Sequence, residues 1–396
     1  MSRWPTKPLG ELLMTLENGS RPKGGVVELP DGIPSLGGEH INREGGFAWD
    51  TPKHVTRDFY ARMKRGRIQR GDILIVKDGA TTGKTATVRD DFPFREAAIN
   101  EHIFLLRTDT SKVLPEFVGY FLFGPVGQQQ ILSNLHGATI GGIAQDFVRN
   151  VHVPLAPLAV QERIAKLLDG ADELRKLRAK AEERTSQLTQ AIFFEMFGDP
   201  ATNPKGWKMK RLSEIGTLDR GRSRHRPRDA SHLYGGPYPF IQTGDIANSD
   251  GFIHSHTQTY SDAGLAQSKL WSAGTLCITI AANIAKTAIL TFDACFPDSV
   301  VGFVPSEGAT AEYVRSWLVT MQQRLEEAAP QAAQKNINLG ILNKLKLPIP
   351  PPGLQRQFAD RVREVATLRE AQYSSHQCLD SLFDSLLSAT FSGTCP

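Results

Sequence analysis

The chain holds 396 residues, with 46 Lys and Arg against 42 Asp and Glu and a net charge of +4. That length exceeds one ordinary hydrophobic core and predicts two domains or more, and 40% hydrophobic with 22% charged residues is the balance of a globular protein. No stretch approaches the roughly 18 to 20 apolar residues of a membrane span, so no membrane association is expected.

Nothing apolar follows Met1-Ser2-Arg3-Trp4-Pro5 that would make a signal peptide. The cysteines, Cys277, Cys295, Cys378 and Cys395, form no Cys-x-x-Cys pair, which speaks against a zinc or disulfide framework. Cys277 and Cys295 stand in apolar, strand-like runs and read as buried free thiols. A cytoplasmic chain is expected.

Taken in order, a mixed region of about 150 residues comes first. Its short apolar runs, such as Ile73-Leu74-Ile75-Val76 and His102-Ile103-Phe104-Leu105-Leu106, are separated by Gly, Pro and Asp and read as strands joined by turns. A helix is predicted over Pro115 to Leu135. The joint Val153-Pro154-Leu155-Ala156-Pro157 then stops any helix. From about Ala159 to Phe197, Val160, Ile164, Leu167, Ala171, Leu174, Ala181, Leu188 and Ile192 recur at spacings of three, four or seven. That spacing, with charges between, is a coiled-coil seam.

The plan then starts again. Trp4 with Leu9-Gly10-Glu11-Leu12 recurs as Trp207 with Leu212-Ser213-Glu214-Ile215. Ile33-Pro34-Ser35-Leu36 recurs as Tyr238-Pro239-Phe240-Ile241, and Gly71-Asp72-Ile73-Leu74-Ile75 as Gly274-Thr275-Leu276-Cys277-Ile278. Gly83-Lys84-Thr85-Ala86 answers Ala285-Lys286-Thr287-Ala288. A second helix is predicted over Ala311 to Ala328, a second joint at Leu347-Pro348-Ile349-Pro350-Pro351-Pro352, and a second long helix over about Leu354 to Ala389. Its seam is Phe358, Val362, Val365, Leu368, Leu379, Leu382 and Leu386. The offset drifts from about 203 to about 194 without any match falling out of order. The chain is a tandem duplication, and a period this long means two domains, not a solenoid.

The expected fold is therefore mixed α/β. Similar domains at 1–158 and 198–353 are each followed by a helix, at 159–197 and 354–391. Each helix is roughly 50 to 60 Å long at 1.5 Å per residue and would leave its apolar stripe wet if alone. The order domain, helix, domain, helix predicts that the two pack antiparallel, giving a dumbbell with an approximate two-fold axis.

Candidate chemistry is sparse. Gly79-Ala80-Thr81-Thr82-Gly83-Lys84-Thr85 is one residue short of a phosphate-cradling loop, and its partner Ala281-Ala282-Asn283-Ile284-Ala285-Lys286-Thr287 has no glycine. ATP binding is not expected. The shared lysines, Lys84 and Lys286, are candidate phosphate contacts or solvated strand ends. No methyltransferase tetrapeptide, Gly-x-Ser-x-Gly elbow or His-Glu-x-x-His occurs, so no catalytic set emerges.

Charge clustering is more informative. Nine basic residues lie between Lys205 and Arg228, opposed only by Glu214 and Asp219. The stretch Arg220-Gly221-Arg222-Ser223-Arg224-His225-Arg226-Pro227-Arg228 alternates arginine with smaller residues and reads as a loop, either a solvated basic face or, the favoured reading, a surface that contacts phosphates or forks onto guanine, with Arg220, Arg222, Arg224, Arg226 and Arg228 as the candidates. A second cluster holds Arg62, Lys64 and Arg65, with Arg67 and Arg70 beyond. The loops before the joints, 137–145 and 331–338, offer Gln145 in one copy and Gln334, Lys335 and Asn336 in the other. They read either as adenine contacts or as ordinary turns.

Two domains, each followed by a Pro-Leu-x-Pro-Leu-x-x-Gln-like joint and a long helix, resemble the specificity subunits of type I restriction-modification systems. The joints here are Val153 to Gln161 and Leu347 to Gln355, and Gly-Asp-Ile-Leu-Ile followed by Gly-Ala-Thr-x-Gly-Lys is similar to that family's target-recognition domain. The second copy lacks the glycines. The resemblance implies a non-catalytic subunit whose two domains each read half of a split, asymmetric site in double-stranded DNA. The paired helices would act as a ruler and dock two methyltransferase subunits, with motor-nuclease subunits joining them. S-adenosylmethionine, ATP and magnesium would belong to those partners and none to this chain. The alternatives are a methyltransferase or nuclease with its own recognition domain, and a coiled-coil scaffold that does not touch DNA.

Overall fold

Gly71 and Gly274 mark the same event in the two copies. Their φ angles are +83° and +85°, a left-handed turn that favours glycine, and the N–H of each donates over 2.8 Å to the partner strand, at Val88 and Leu290. A buried strand follows each, Ile73–Val76 and Leu276–Thr279. The computed structural model describes residues 4–22, 31–50, 53–136, 141–280, 286–328 and 338–392. They fall into two units, Met1–Leu177 with His376–Pro396, and Arg178–Ser375.

In the first unit an antiparallel sheet runs in the order Leu13–Asn18, Ile103–Thr108, Ile73–Val76, Thr85–Thr87. Beside it, Ile33–Leu36 pairs antiparallel with His54–Val55 and parallel with Ala98–Ile99. Thr6–Pro8 pairs with His152–Pro154 at the joint. Successive strand residues point to opposite faces, and both faces of Ile73–Val76 are buried, hence its unbroken apolar run. Ile73 and Ile75 join Phe117, Phe121, Phe383 and Phe391, while Leu74 and Val76 join Leu36, Ile99 and Leu105.

The second unit repeats this. Its sheet runs Gly216–Arg220, Val300–Pro305, Leu276–Thr279, Thr287–Leu290, extended by Phe252–Ile253. Tyr234–Phe240 pairs with Gln258–Tyr260 and, in parallel, with Ala294–Cys295. Met209–Arg211 pairs with Lys346–Pro348 at the joint. The registers agree residue for residue: Leu74 faces Ala86 and Ile75 faces Thr85, as Cys277 faces Ala288 and Ile278 faces Thr287. Cys277 and Cys295 are buried free thiols, as expected. Cys395 lies outside the described residues.

The helix predicted over Pro115 to Leu135 is two helices, Pro115–Phe123 and Pro125–Leu132. Pro125 disfavours a helical residue before it, so the chain turns at Gly124. Its counterpart, Ala311–Ala328, is a single helix. The long helices span Leu158–Phe197 and Pro352–Ser392. In the second unit Gln372 donates to Thr185 over 3.1 Å, and Phe193 meets Phe358 with ring centroids 5.7 Å apart. Ascending one helix descends the other, so they pack antiparallel there. In the first unit Arg175 donates to Asp380 over 2.7 Å and lies 4.5 Å over the Phe383 ring.

The predicted seam needs correction. Leu167, Leu174, Leu188, Leu368 and Leu382 are 39 to 53% exposed. Ala171, Phe358, Val362 and Val365 of that seam are buried as expected, and the buried stripe is completed by Leu168, Thr185, Phe193, Gln372, Phe383 and Leu387. Leu167, Leu174, Ala181 and Leu188 recur every seven residues and form a second stripe beside the buried one. The true seam is polar at Arg175, Thr185 and Gln372, so its apolar pattern is interrupted where the outer stripe's is not. Among the described residues no helix is long and apolar enough to cross a membrane.

Each domain is fastened to its helix by a buried glutamine. Gln161 accepts from the Leu114 N–H over 2.8 Å and donates to the Ala156 carbonyl over 2.7 Å. Gln355 accepts from the Thr310 N–H over 3.2 Å and donates to the Pro350 and Gly308 carbonyls over 2.9 and 3.1 Å. Leu114 and Thr310 stand just before the helices beginning at Pro115 and Ala311, whose first N–H groups lack helical partners. Ion pairs add to this fastening. Arg89 pairs with Asp169, which also accepts from the Tyr120 hydroxyl, and Arg363 donates to Glu312 over 2.7 Å.

Candidate nucleic-acid interface

The arginine loop is held by its backbone, leaving its guanidiniums outside. Strand Gly216–Arg220 ends at Arg220, and the chain continues irregularly from Gly221. The N–H groups of Gly221 and Arg222 donate to the Val300 and Phe296 carbonyls over 2.9 and 3.1 Å. Ser268 donates to the Arg222 carbonyl over 2.8 Å, the His225 N–H donates to Gln267 over 3.0 Å, and Tyr234 donates to the Arg228 carbonyl over 2.8 Å. Gly221 and Ser223 are buried while Arg220, Arg222 and Arg224 are exposed. From Arg220 to Arg224 the alternation seen in sequence is thus an alternation of inward small residues and outward arginines, whereas His225 is half-buried and Pro227 exposed.

Two carboxylates temper this charge. Arg228 donates to both oxygens of Asp298 over 2.9 Å, and Arg220 to the Asp298 backbone carbonyl over 2.9 Å. Asp219 accepts from Lys269 over 3.0 Å and lies 3.8 Å from Arg222. The hydrogen bond from Lys269 holds the Asp219 carboxyl below its usual range. Arg226 donates to the Ser223 and His225 carbonyls, both over 2.7 Å, bracing the loop itself. Arg224 makes no ion pair or hydrogen bond among the described residues. Lys286 is exposed just before strand Thr287–Leu290.

In the first unit Arg62, Lys64 and Arg65 are exposed together, where helix Arg57–Arg62 ends. Lys84 is turned inward instead: its ammonium donates to the Ile41 carbonyl over 3.0 Å. The loop Gly79–Gly83 meets the segment before Gln145, since Thr82 reaches the Gly141 carbonyl at 3.3 Å and the Ile143 N–H donates to Lys77 over 2.7 Å. Gln145 is exposed and reaches the Leu16 carbonyl at 3.4 Å. Gln334, Lys335 and Asn336 lie outside the described residues. Among the described residues no cluster of His, Cys, Asp and Glu could hold a metal ion.

One segment was legible but missed. Thr15-Leu16-Glu17-Asn18-Gly19-Ser20-Arg21-Pro22 matches Thr217-Leu218-Asp219-Arg220-Gly221-Arg222, and both loops go on to an Arg-Pro step, at Arg21-Pro22 and Arg226-Pro227. The second loop is longer, which hides the match. Arg21 is exposed and lies 3.5 Å from Glu101.

A family model described as the type I restriction modification DNA specificity domain matches residues 1–184 and again 204–371. Over 98% of its length the chain is similar to a putative type I restriction enzyme MjaX specificity subunit of Methanocaldococcus jannaschii, at 21% identity and across 93% of that protein. Over 44% of its length it is similar to the type I restriction enzyme EcoBI specificity subunit of Escherichia coli, at 25% identity and across 37% of that protein. Of solved structures, the S subunit of a type I restriction-modification system from M. genitalium matches 98% of this chain and 96% of that one at 16% identity, with a TM-score of 0.64. A chain from a structure describing complex assembly and conformational transition of the type I system matches 98% of this chain and 97% of that one at 21% identity, with a TM-score of 0.59. Those two structures share the fold.

Proposed function

We propose, since the chain belongs to the family of type I restriction-modification DNA specificity proteins, that its second unit grips duplex DNA through Arg220, Arg222, Arg224, Arg226 and Arg228. The chain is a specificity subunit, a recognition component and not a catalytic one. The observation that carries the residue-level reading is the loop's construction. Five backbone groups are tied down while the guanidiniums stay exposed, so little ordering entropy remains to be lost on binding. Arg224, without a partner of its own, is the group best placed to fork onto guanine O6 and N7.

In this reading 1–158 and 198–353 are the recognition domains, and the helices at 159–197 and 354–391 carry the partner surfaces. S-adenosylmethionine, ATP and magnesium belong to methyltransferase and motor-nuclease subunits, and the whole works in the cytoplasm. Converting Arg222, Arg224 and Arg226 to alanine should flatten the slope of log affinity against log salt by about 2 to 3 in the assembled complex, as three lost phosphate contacts would. If Arg224 reads guanine, about 1 to 3 kcal/mol of discrimination should go at one base pair. Unchanged affinity and slope would return the loop to a solvated face.

The outer leucine stripe suits the methyltransferase subunits. Leu167 and Leu174 are each 53% exposed, one heptad apart on one helix face. Covering a leucine contributes about 1.5 to 3 kcal/mol. Leu167→Glu with Leu174→Glu should therefore weaken co-purification with methyltransferase subunits by at least about tenfold while leaving the chain's own fold intact. Undiminished assembly would move the docking surface elsewhere.

A further inference from the structure

We infer that the two basic clusters, which do not align in sequence, occupy one equivalent face of the two units, and that Asn18–Arg21 with Arg62–Arg65 is the first unit's DNA-contact surface. This rests on the reading of the arginine loop as a DNA contact. It adds a site, Asn18–Arg21, and a reason why the two halves of the chain carry their charge on different segments.

The equivalence comes from strand register. Ile73 and Leu276, each two residues past its left-handed glycine, face Leu106 and Phe303. Those residues in turn face Leu16 and Leu218. Counting on, Asn18 corresponds to Arg220, Gly19 to Gly221 and Ser20 to Arg222.

The glycines confirm the count. A Cβ on Gly19 would fall 1.9 Å from the Ile99 carbonyl oxygen and 2.3 Å from that of Asn100. One on Gly221 would fall 2.3 Å from the Phe296 oxygen and 2.4 Å from that of Pro297. Both loops leave their strand through the same gap, too narrow for any side chain.

The backing segments correspond as well. Arg67 faces Ala98 as Leu270 faces Cys295, and Ala98 and Cys295 both sit on the parallel strand, opposite Ser35 and Phe240. Gly66 is then the counterpart of Lys269, Arg65 of Ser268, and Lys64 of Gln267. A carboxylate bridges loop and backing in both units. Glu17 accepts from the Gly66 N–H over 2.6 Å, and Asp219 accepts from the Lys269 ammonium over 3.0 Å.

The charge has changed segments. In the second unit Gln267 and Ser268 are neutral and hold the loop's backbone, while the loop carries the arginines. In the first unit those two positions are Lys64 and Arg65, both exposed, and the described part of the loop carries Arg21 alone. Phosphate attraction depends on where charge stands and not on which segment supplies it, so either arrangement serves the same backbone. Base reading does depend on the side chain's origin and angle. The two units are thereby equipped to grip alike and read differently.

The test uses the full chain assembled with its methyltransferase subunits, on duplex carrying the site that this complex methylates, mapped first in the source genome. Arg21→Ala with Lys64→Gln and Arg65→Ser should flatten the salt slope by about 2 to 3 and erase the footprint over one half-site. The triple arginine-loop variant should erase the other. Adding Ser20→Arg to the Lys64→Gln, Arg65→Ser pair should restore about one unit of slope, because it places the charge where the second unit has Arg222. An unchanged slope in the first-unit variant, with the arginine loop still sensitive, overturns this inference alone. Insensitivity of both overturns the arginine-loop reading too. A first-unit loss that Ser20→Arg does not recover overturns the equivalence of the two faces.

Discussion

Replacing Phe193 by alanine is expected to destabilise the second unit by about 3 to 5 kcal/mol, the range for emptying a buried aromatic site. Phe193 is fully buried where both long helices meet the domain. Its ring stacks on Tyr313 at 5.8 Å and meets Phe197 and Phe358 at 5.1 and 5.7 Å. These neighbours come from three separate helices, so no local collapse can refill the space. Hydrogen exchange should show the amides of Leu276–Thr279 losing protection while those of Ile73–Val76 keep theirs. Equal loss in both strands would mean that the two units do not unfold independently.

Gln161→Leu and Gln355→Leu should each cost about 2 to 4 kcal/mol, although leucine is nearly the same size and the sites are fully buried. In the first unit the change strands the Leu114 N–H and the Ala156 carbonyl, and in the second the Thr310 N–H with the Pro350 and Gly308 carbonyls. Each orphaned buried group costs about 1 to 3 kcal/mol. The expected signature is a lowered unfolding midpoint with fast exchange at the Leu114 or Thr310 amide. A midpoint within experimental error of the parent chain would show that water replaces the amide.

Much of the fold was legible because duplication prints each structural requirement twice. Gly71 and Gly274 betrayed the turn before a buried strand, the prolines at 154 and 348 betrayed the joints, and the long helices begin and end within three residues of expectation. The seam was legible only as a period, not as a face. Leucines at 167, 174 and 188 kept a stricter heptad outside than Arg175 and Thr185 did inside, and hydropathy cannot tell a stripe awaiting a partner from one already buried. The arginine loop was visible from its alternation. Its counterpart at Asn18–Arg21 was legible as a repeat but not as a charged surface, because the charge there sits on a segment some forty residues away in sequence, which the fold brings beside Gly19 at Gly66. Lys84 looked free because sequence does not reveal that the Ile41 carbonyl waits for it.

The division of the chain also sets a timetable for synthesis. The second unit is one continuous segment, Arg178–Ser375, whereas the first is closed by residues from His376 onward. Phe383, Leu387 and Phe391 belong to the first unit's core, so the sides of Phe117 and Phe121 that meet Phe391 stay open while about 200 further residues are translated, some 10 to 40 s at about 5 to 20 residues per second. The half made first is therefore the half finished last. During that interval its exposed aromatic face is the part of the nascent chain most open to chaperones, or to a helix borrowed from a neighbouring copy.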